Sequence, residues 1–164
     1  QSNYTGFGSG IVIPGYGVAL SDRGNNFSMD PRSDNCVGPR KKSYHTIIPG
    51  FLSRNGQAIG PFGVMGAFMQ PQGQFQVLMN TIDFHLNPQA ALDAPRWQWV
   101  GGKRIEVEAG VPKAIVEGLR RKGHDVVVKA DPIPYGRGQI IWRNEQGVLS
   151  GATEPRADGT VAAW

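Results

Sequence analysis

More than a fifth of this chain is glycine or proline, 23 and 12 of its 164 residues, and they are scattered without a period. Glycine supplies positive-φ corners and proline fixed-φ corners, so the chain is held to short elements joined by many tight turns; the missing period excludes collagen. At this length a single domain over residues 1–164 is expected, burying roughly 65–70% of the surface that the unfolded chain exposes.

The formal charge of +4 comes from dispersed residues and two short clusters, Arg40-Lys41-Lys42 and Arg120-Arg121-Lys122. Neither is interleaved with aromatics along a face, so a nucleic-acid partner is not expected. A single cysteine, Cys36, leaves no internal disulfide or cysteine zinc cage, and the three histidines stand too far apart for ligand spacing. No metal or cofactor is therefore expected. No apolar run approaches the ~18–20 residues that cross a bilayer, so no membrane partner is expected, and nothing indicates a compartment. The polar, extended stretch from Gln1 to Gly10 reads as the middle of a strand-and-turn unit, which predicts a piece of something larger.

Two β-prone runs around Pro14-Gly15-Tyr16-Gly17 predict a hairpin, followed by a polar loop from Asp22 and an exposed connection over 30–40. Asn55-Gly56 is the strongest hairpin turn and pairs Phe51-Leu52 with Ala58–Met65. Past the small-residue stretch 66–73, Phe75, Val77, Leu78, Thr81, Ile82 and Leu86 recur as on a buried helix. Asn87 and Pro88 open a short helix that stops before Pro95. Lys103–Glu108 alternates as a strand, Pro112–Lys122 carries Ile115, Val116 and Leu119 on one helical face up to Gly123, Asp125–Val128 is a strand, and a last hairpin turns at Asn144–Gly147. Strands at both ends with helices between them predict a layered α+β fold.

The residues by themselves offer one site-like element, the strand-to-helix bend Gly63-Val64-Met65-Gly66-Ala67-Phe68. Small residues there let backbone N–H groups face outward beside a helix start, an oxyanion cradle in which each donor is worth about 3 kcal/mol; a plain packing turn fits the same letters. Arg23, Asn25, Asn26, His45 and Thr46 suit either a polar pocket or solvated loops. No Ser-His-Asp or Cys-His set can be assembled.

Phe7-Gly8-Ser9-Gly10, Asn25-Asn26-Phe27-Ser28, Gly66-Ala67, Asp93-Ala94-Pro95-Arg96 and Gly151-Ala152-Thr153-Glu154-Pro155-Arg156 occur in the order found in the small subunit of γ-glutamyltranspeptidases. Over nearly its whole length the chain resembles that family. Tyr44-His45-Thr46-Ile47-Ile48-Pro49 and Met69-Gln70-Pro71-Gln72-Gly73 are similar to the acylase-like branch. The resemblance implies part of an N-terminal nucleophile hydrolase, an αββα sandwich incomplete without an upstream strand and a large subunit. It also implies a proenzyme that cuts itself and a nucleophilic threonine upstream of Gln1, acting on a small γ-glutamyl or acyl-amide substrate. These residues alone are then expected to be inactive.

By the same resemblance Gly66 and Ala67 match the oxyanion-hole pair, and Asn3 an asparagine near the substrate α-carboxylate. Gln1 stands where a threonine supports the nucleophile, and His45 and Thr46 replace a serine pair that holds the carboxylate. Asn26 stands where transpeptidases place the aspartate that pairs with the glutamyl α-ammonium, and Arg23 replaces a glutamine. Losing that carboxylate weakens γ-glutamyl preference by roughly 10 to 150-fold and favours glutaryl-type acyl groups. The segment from Met29 to Gly38 is shorter than many family lids, which predicts an open cleft, and an apolar face is expected where a partner subunit sits. A non-catalytic homologue that keeps only the scaffold is the alternative reading.

Overall fold

A computed structural model describes residues 2–164, in two compact units divided between Ile48 and Pro49. In the first unit β1 (Val12–Ile13) and β2 (Val18–Ala19) form the expected antiparallel hairpin, most of whose side chains face solvent. A single 3-10 turn over Arg23–Asn26 stands where the polar loop is expected. Beyond it, local bonds such as Ser28 N–H to the Asn35 carbonyl and Val37 N–H to the Ser28 carbonyl hold a turn-rich connection.

The second unit opens with β3 (Gly50–Arg54) and β4 (Gln57–Met65), antiparallel across Asn55-Gly56. Both turn residues have positive φ, 52° and 77°, the geometry that matches strand twist in a two-residue hairpin. The chain then bends into α1 (Gln70–Ile82) and α2 (Pro88–Asp93), the latter capped by Asn87, whose side chain accepts from Ala90 N–H. Next come β5 (Trp97–Gly101), β6 (Arg104–Glu108), α3 (Lys113–Arg121) and β7 (Asp125–Lys129), and finally β8 (Arg137–Arg143) and β9 (Leu149–Thr153).

These strands make two sheets, β3-β4-β8-β9, all antiparallel, and β5-β6-β7, in which β6 and β7 run parallel around α3. The larger sheet packs Phe62, Val64, Ile140, Trp142 and Ala152 against Val77 of α1 and Ala91 and Leu92 of α2. The smaller buries Ile105, Val107 and Val126 against Val116 of α3.

Several helical expectations shift. Helix α1 begins at Gln70, ahead of Gly73, with Pro71 in its first turn, and ends before Leu86, which packs on the core from the connection to α2. Its buried positions are Gly73, Gln76 and Val77, an i, i+3, i+4 set, so Phe75 lies off that face and is exposed. Ile115 is likewise exposed beside buried Val116. Strand β5, Trp97–Gly101, is an element additional to those expected from the sequence.

Candidate functional site

The β4–β8 ladder ends at the Met65–Arg137 pair, one residue before Gly66. Gly66 adopts φ 155° and ψ 42°, Ala67 follows at φ 50°, and Met69 N–H closes the bend on the Gly66 carbonyl at 2.9 Å. An alanine in left-handed backbone costs roughly 1–2 kcal/mol, so the bend is held by its surroundings. Gly66 is half-buried and Ala67 exposed. Among the described residues neither of their N–H groups donates a hydrogen bond. With the first turn of α1 just beyond, two unspent donors and the positive helix end make a local environment suited to negative charge.

Gly136 forms the floor of this bend. A Cβ on Gly66 would lie 2.9 Å from the Gly136 Cα, and one on Gly136, where φ is 80°, would lie 2.7 Å from the Met65 carbonyl oxygen. The Tyr135 and Gly136 carbonyls both accept from the Arg96 Nη1 at 3.0 Å. Arg96 is 1% exposed and pairs through Nη2 with Glu154 at 2.8 Å. Glu154 also accepts from Gly138 N–H and from Arg156, and Arg156 pairs with Glu108, which accepts from Arg96 N–H. Burial holds the Arg96 guanidinium below its usual pKa against the pull of Glu154. Burial also acts to lower Arg156, but hydrogen bonds to Glu108 and Glu154 outweigh it and leave that group above its usual value. A cavity of about 350 Å³ lies against this quartet, bordered by Asp93, Lys129 and Pro155; its walls Glu108 and Arg156 are occupied with each other.

In the first unit Arg23 is a hub. Its Nε donates to Thr46 Oγ1 at 2.8 Å, Nη1 to the Ser2 carbonyl and Ser21 Oγ, and Nη2 to Ser2 Oγ, while the guanidinium lies 5.7 Å from the Tyr4 ring centre. Tyr4 OH donates to Asn26 Oδ1 at 3.1 Å, and the buried Asn26 Nδ2 has no partner among the described residues. Asn3 joins through its carbonyl, which accepts from Asp22 N–H and Ser21 OH. His45 stands apart: it is exposed, and its Nδ1 accepts from Ile47 N–H. Asp22, the acidic neighbour, accepts from Thr5 N–H.

Thus Arg23, Asn26 and Thr46 are drawn together, Asn3 touches the same network by its backbone, His45 does not enter it, and Gln1 lies outside the described residues. Tyr4, Ser2 and Ser21 were not singled out in the sequence, and neither was Gly136. The available sequence signal for the quartet was Arg96, Glu154 and Arg156 standing beside prolines in Asp93-Ala94-Pro95-Arg96 and Glu154-Pro155-Arg156.

The gamma-glutamyltranspeptidase family profile matches residues 1–164, and the chain belongs to that family. Its α+β fold is a portion of the N-terminal nucleophile hydrolase fold of γ-glutamyltranspeptidase and acylase structures. Cephalosporin acylase from Bacillus halodurans superposes with a TM-score of 0.92 at 64% identity, over 100% of this chain and 31% of that one. γ-Glutamyltranspeptidase from Pseudomonas nitroreducens gives 0.80 at 26% identity, over 100% of this chain and 91% of that one. The glutathione hydrolase-like YwrD proenzyme of Bacillus subtilis is 34% identical over 98% of this chain, and the oxamate amidohydrolase proenzyme of Klebsiella pneumoniae 34% over 100%. The chain spans 32% of the length of each of these two relatives.

Proposed function

We propose that this chain is the oxyanion-stabilising part of a γ-glutamyltranspeptidase-like amidohydrolase or acyltransferase whose nucleophile, an N-terminal threonine, lies outside these residues. One observation carries the reading: the bend at half-buried Gly66 and exposed Ala67 presents two N–H groups that have no hydrogen-bond partner among the described residues, beside a helix start.

In this reaction the threonine hydroxyl attacks the substrate amide carbon while the threonine's own amine takes the hydroxyl proton. The carbonyl electrons move onto oxygen, and Gly66 and Ala67 N–H donate to that anion. Collapse breaks the C–N bond, the departing amine takes up the proton, and the ester left on threonine is cleaved by water or passed to an acceptor amine.

The acyl group is a glutaryl-type chain in preference to a γ-glutamyl one. Asn26 offers a neutral amide where an α-ammonium needs a carboxylate, Arg23, which lies over the Tyr4 ring whose hydroxyl bonds Asn26, is positive, and the acidic Asp22 already accepts from Thr5 N–H. A large subunit of the same proenzyme is the proposed partner, which accords with exposed Phe51, Phe68, Phe75 and Trp99 in the second unit.

Kinetics of the full-length protein on matched γ-glutamyl and glutaryl anilides test both parts. Turnover of glutaryl anilide that is abolished when the upstream threonine is replaced by alanine is the expected result. A tenfold or greater preference for γ-glutamyl rejects the acyl-group assignment, and a single uncut chain that turns over neither substrate rejects the enzyme reading.

A further inference from the structure

Among the described residues strand β5 pairs with β6 along one edge and has no strand on the other. In an antiparallel ladder a residue's N–H and C=O point to the same side, so alternate residues of β5 offer both groups away from β6. At Trp97 and Trp99 those groups are taken by two side chains of α1. Gln76 Oε1 accepts from Trp97 N–H at 3.0 Å and its Nε2 donates to the Trp97 carbonyl at 2.8 Å. Gln72 Oε1 accepts from Trp99 N–H at 2.7 Å and its Nε2 donates to the Trp99 carbonyl at 3.2 Å.

A primary amide carries the donor and acceptor of a peptide group, so each glutamine replaces one residue of a missing neighbour strand. The spacings agree: four helical residues rise about 6 Å and two strand residues about 6.7 Å. The pair therefore fixes both the position of α1 along β5 and its rotation. Gln72 reaches further, since its Nε2 also lies 3.4 Å from the carbonyl of Phe68, inside the bend. From the other side Gly73 sits on Val64 so closely that a Cβ would come within 2.7 Å of a Val64 methyl. The start of α1 is held between β4 and β5, and the Gly66-Ala67 amides hang directly from it.

We infer that Gln72 and Gln76 are positioning residues for the oxyanion donors, setting where the Gly66 and Ala67 N–H groups stand by docking α1 on the open edge of β5. This rests on the reading of Gly66 and Ala67 as those donors. An oxyanion exists only as the tetrahedral state forms, so misplaced donors lower kcat and leave KM nearly unchanged.

The test uses mature full-length protein carrying Gln72→Leu, Gln72→Glu or Gly66→Ala, assayed for kcat and KM on whichever of the two anilides the wild type cleaves, with melting curves for each. For Gln72→Leu, kcat falls about tenfold with KM within about twofold, since small displacements of catalytic groups have effects of this order or larger. Gln72→Glu keeps the acceptor for Trp99 N–H but has no donor when ionised; its kcat recovers toward wild type as pH is lowered and the carboxyl regains a proton to donate, relative to the wild-type profile. Unchanged kcat in both Gln72 variants, or a loss confined to KM or to melting temperature, overturns the inference. Gly66→Ala separates the two levels: if it too leaves kcat intact, the oxyanion reading itself falls, and if it alone lowers kcat, only the role of the glutamines does.

Discussion

Gly136 lies directly against Gly66, with 2.9 Å between the Gly136 Cα and the place a Cβ on Gly66 would occupy. Two segments 70 residues apart in the sequence thus meet at a contact where neither tolerates a side chain. For Gly136→Ala the added methyl meets the Met65 carbonyl and the backbone must hold φ 80°. The expected cost is about 1–3 kcal/mol of stability, read by chemical denaturation, together with a fall in kcat of the full-length protein. A variant as stable and as active as wild type refutes this account of the floor.

The Arg96–Glu154 pair is fully buried and bound into a network with Glu108 and Arg156. Arg96→Met leaves Glu154 and the Tyr135 and Gly136 carbonyls short of their donor, with an expected loss of about 3–5 kcal/mol. Combining it with Glu154→Leu costs less than the two single losses together, with a coupling of about 1–3 kcal/mol in a double-mutant cycle. Additive losses would show that the pair does not act as a unit.

Tyr135 is wholly buried and its hydroxyl has no partner among the described residues. Burial, then repulsion from Glu106, Glu108 and Asp131, raises this phenol above the ordinary tyrosine value of 10.0. The unfolded chain therefore loses this proton first, so stability is full below pH 10 and falls as pH rises above it. Tyr135→Phe removes that component of the fall and, by deleting an unpaired buried hydroxyl, raises stability at neutral pH by about 1 kcal/mol. Denaturation midpoints of both proteins at neutral and alkaline pH check both signs; a less stable Phe variant would reveal a hidden partner.

Asn26→Asp places a carboxylate beside the Tyr4 hydroxyl. In the full-length protein the ratio of kcat/KM for γ-glutamyl over glutaryl anilide is expected to rise by roughly 10 to 150-fold. An unchanged ratio removes position 26 from acyl-group selection.

Local chemistry made much of this legible in advance. Asn55-Gly56 dictated its hairpin because both residues accept positive φ, Asn87-Pro88 dictated a helix start because one side chain caps and one ring presets φ, and Gly123 marked the end of α3 at φ 89°. Family membership was legible too, from five short motifs in order. Phe75 and Ile115 were misplaced because a hydrophobic side chain one position from the buried stripe sits about 100° around the helix, and only the packed sheet shows which stripe is used.

What the sequence by itself determined is the turn chemistry, the strand and helix segments near those turns, and the small residues at Gly66-Ala67, since each depends on neighbours a few positions away. Only the tertiary structure decided that the ladder stops at Met65 and leaves two amides unspent among the described residues, that Gly136 supplies their floor, that Arg23 is bound by Thr46 and Ser2, and that Gln72 and Gln76 complete the edge of β5. The reason is physical: a hydrogen-bonding group's fate is fixed by whichever partner the fold brings within 3 Å or so, and most of these partners lie some 20 to 70 residues away along the chain.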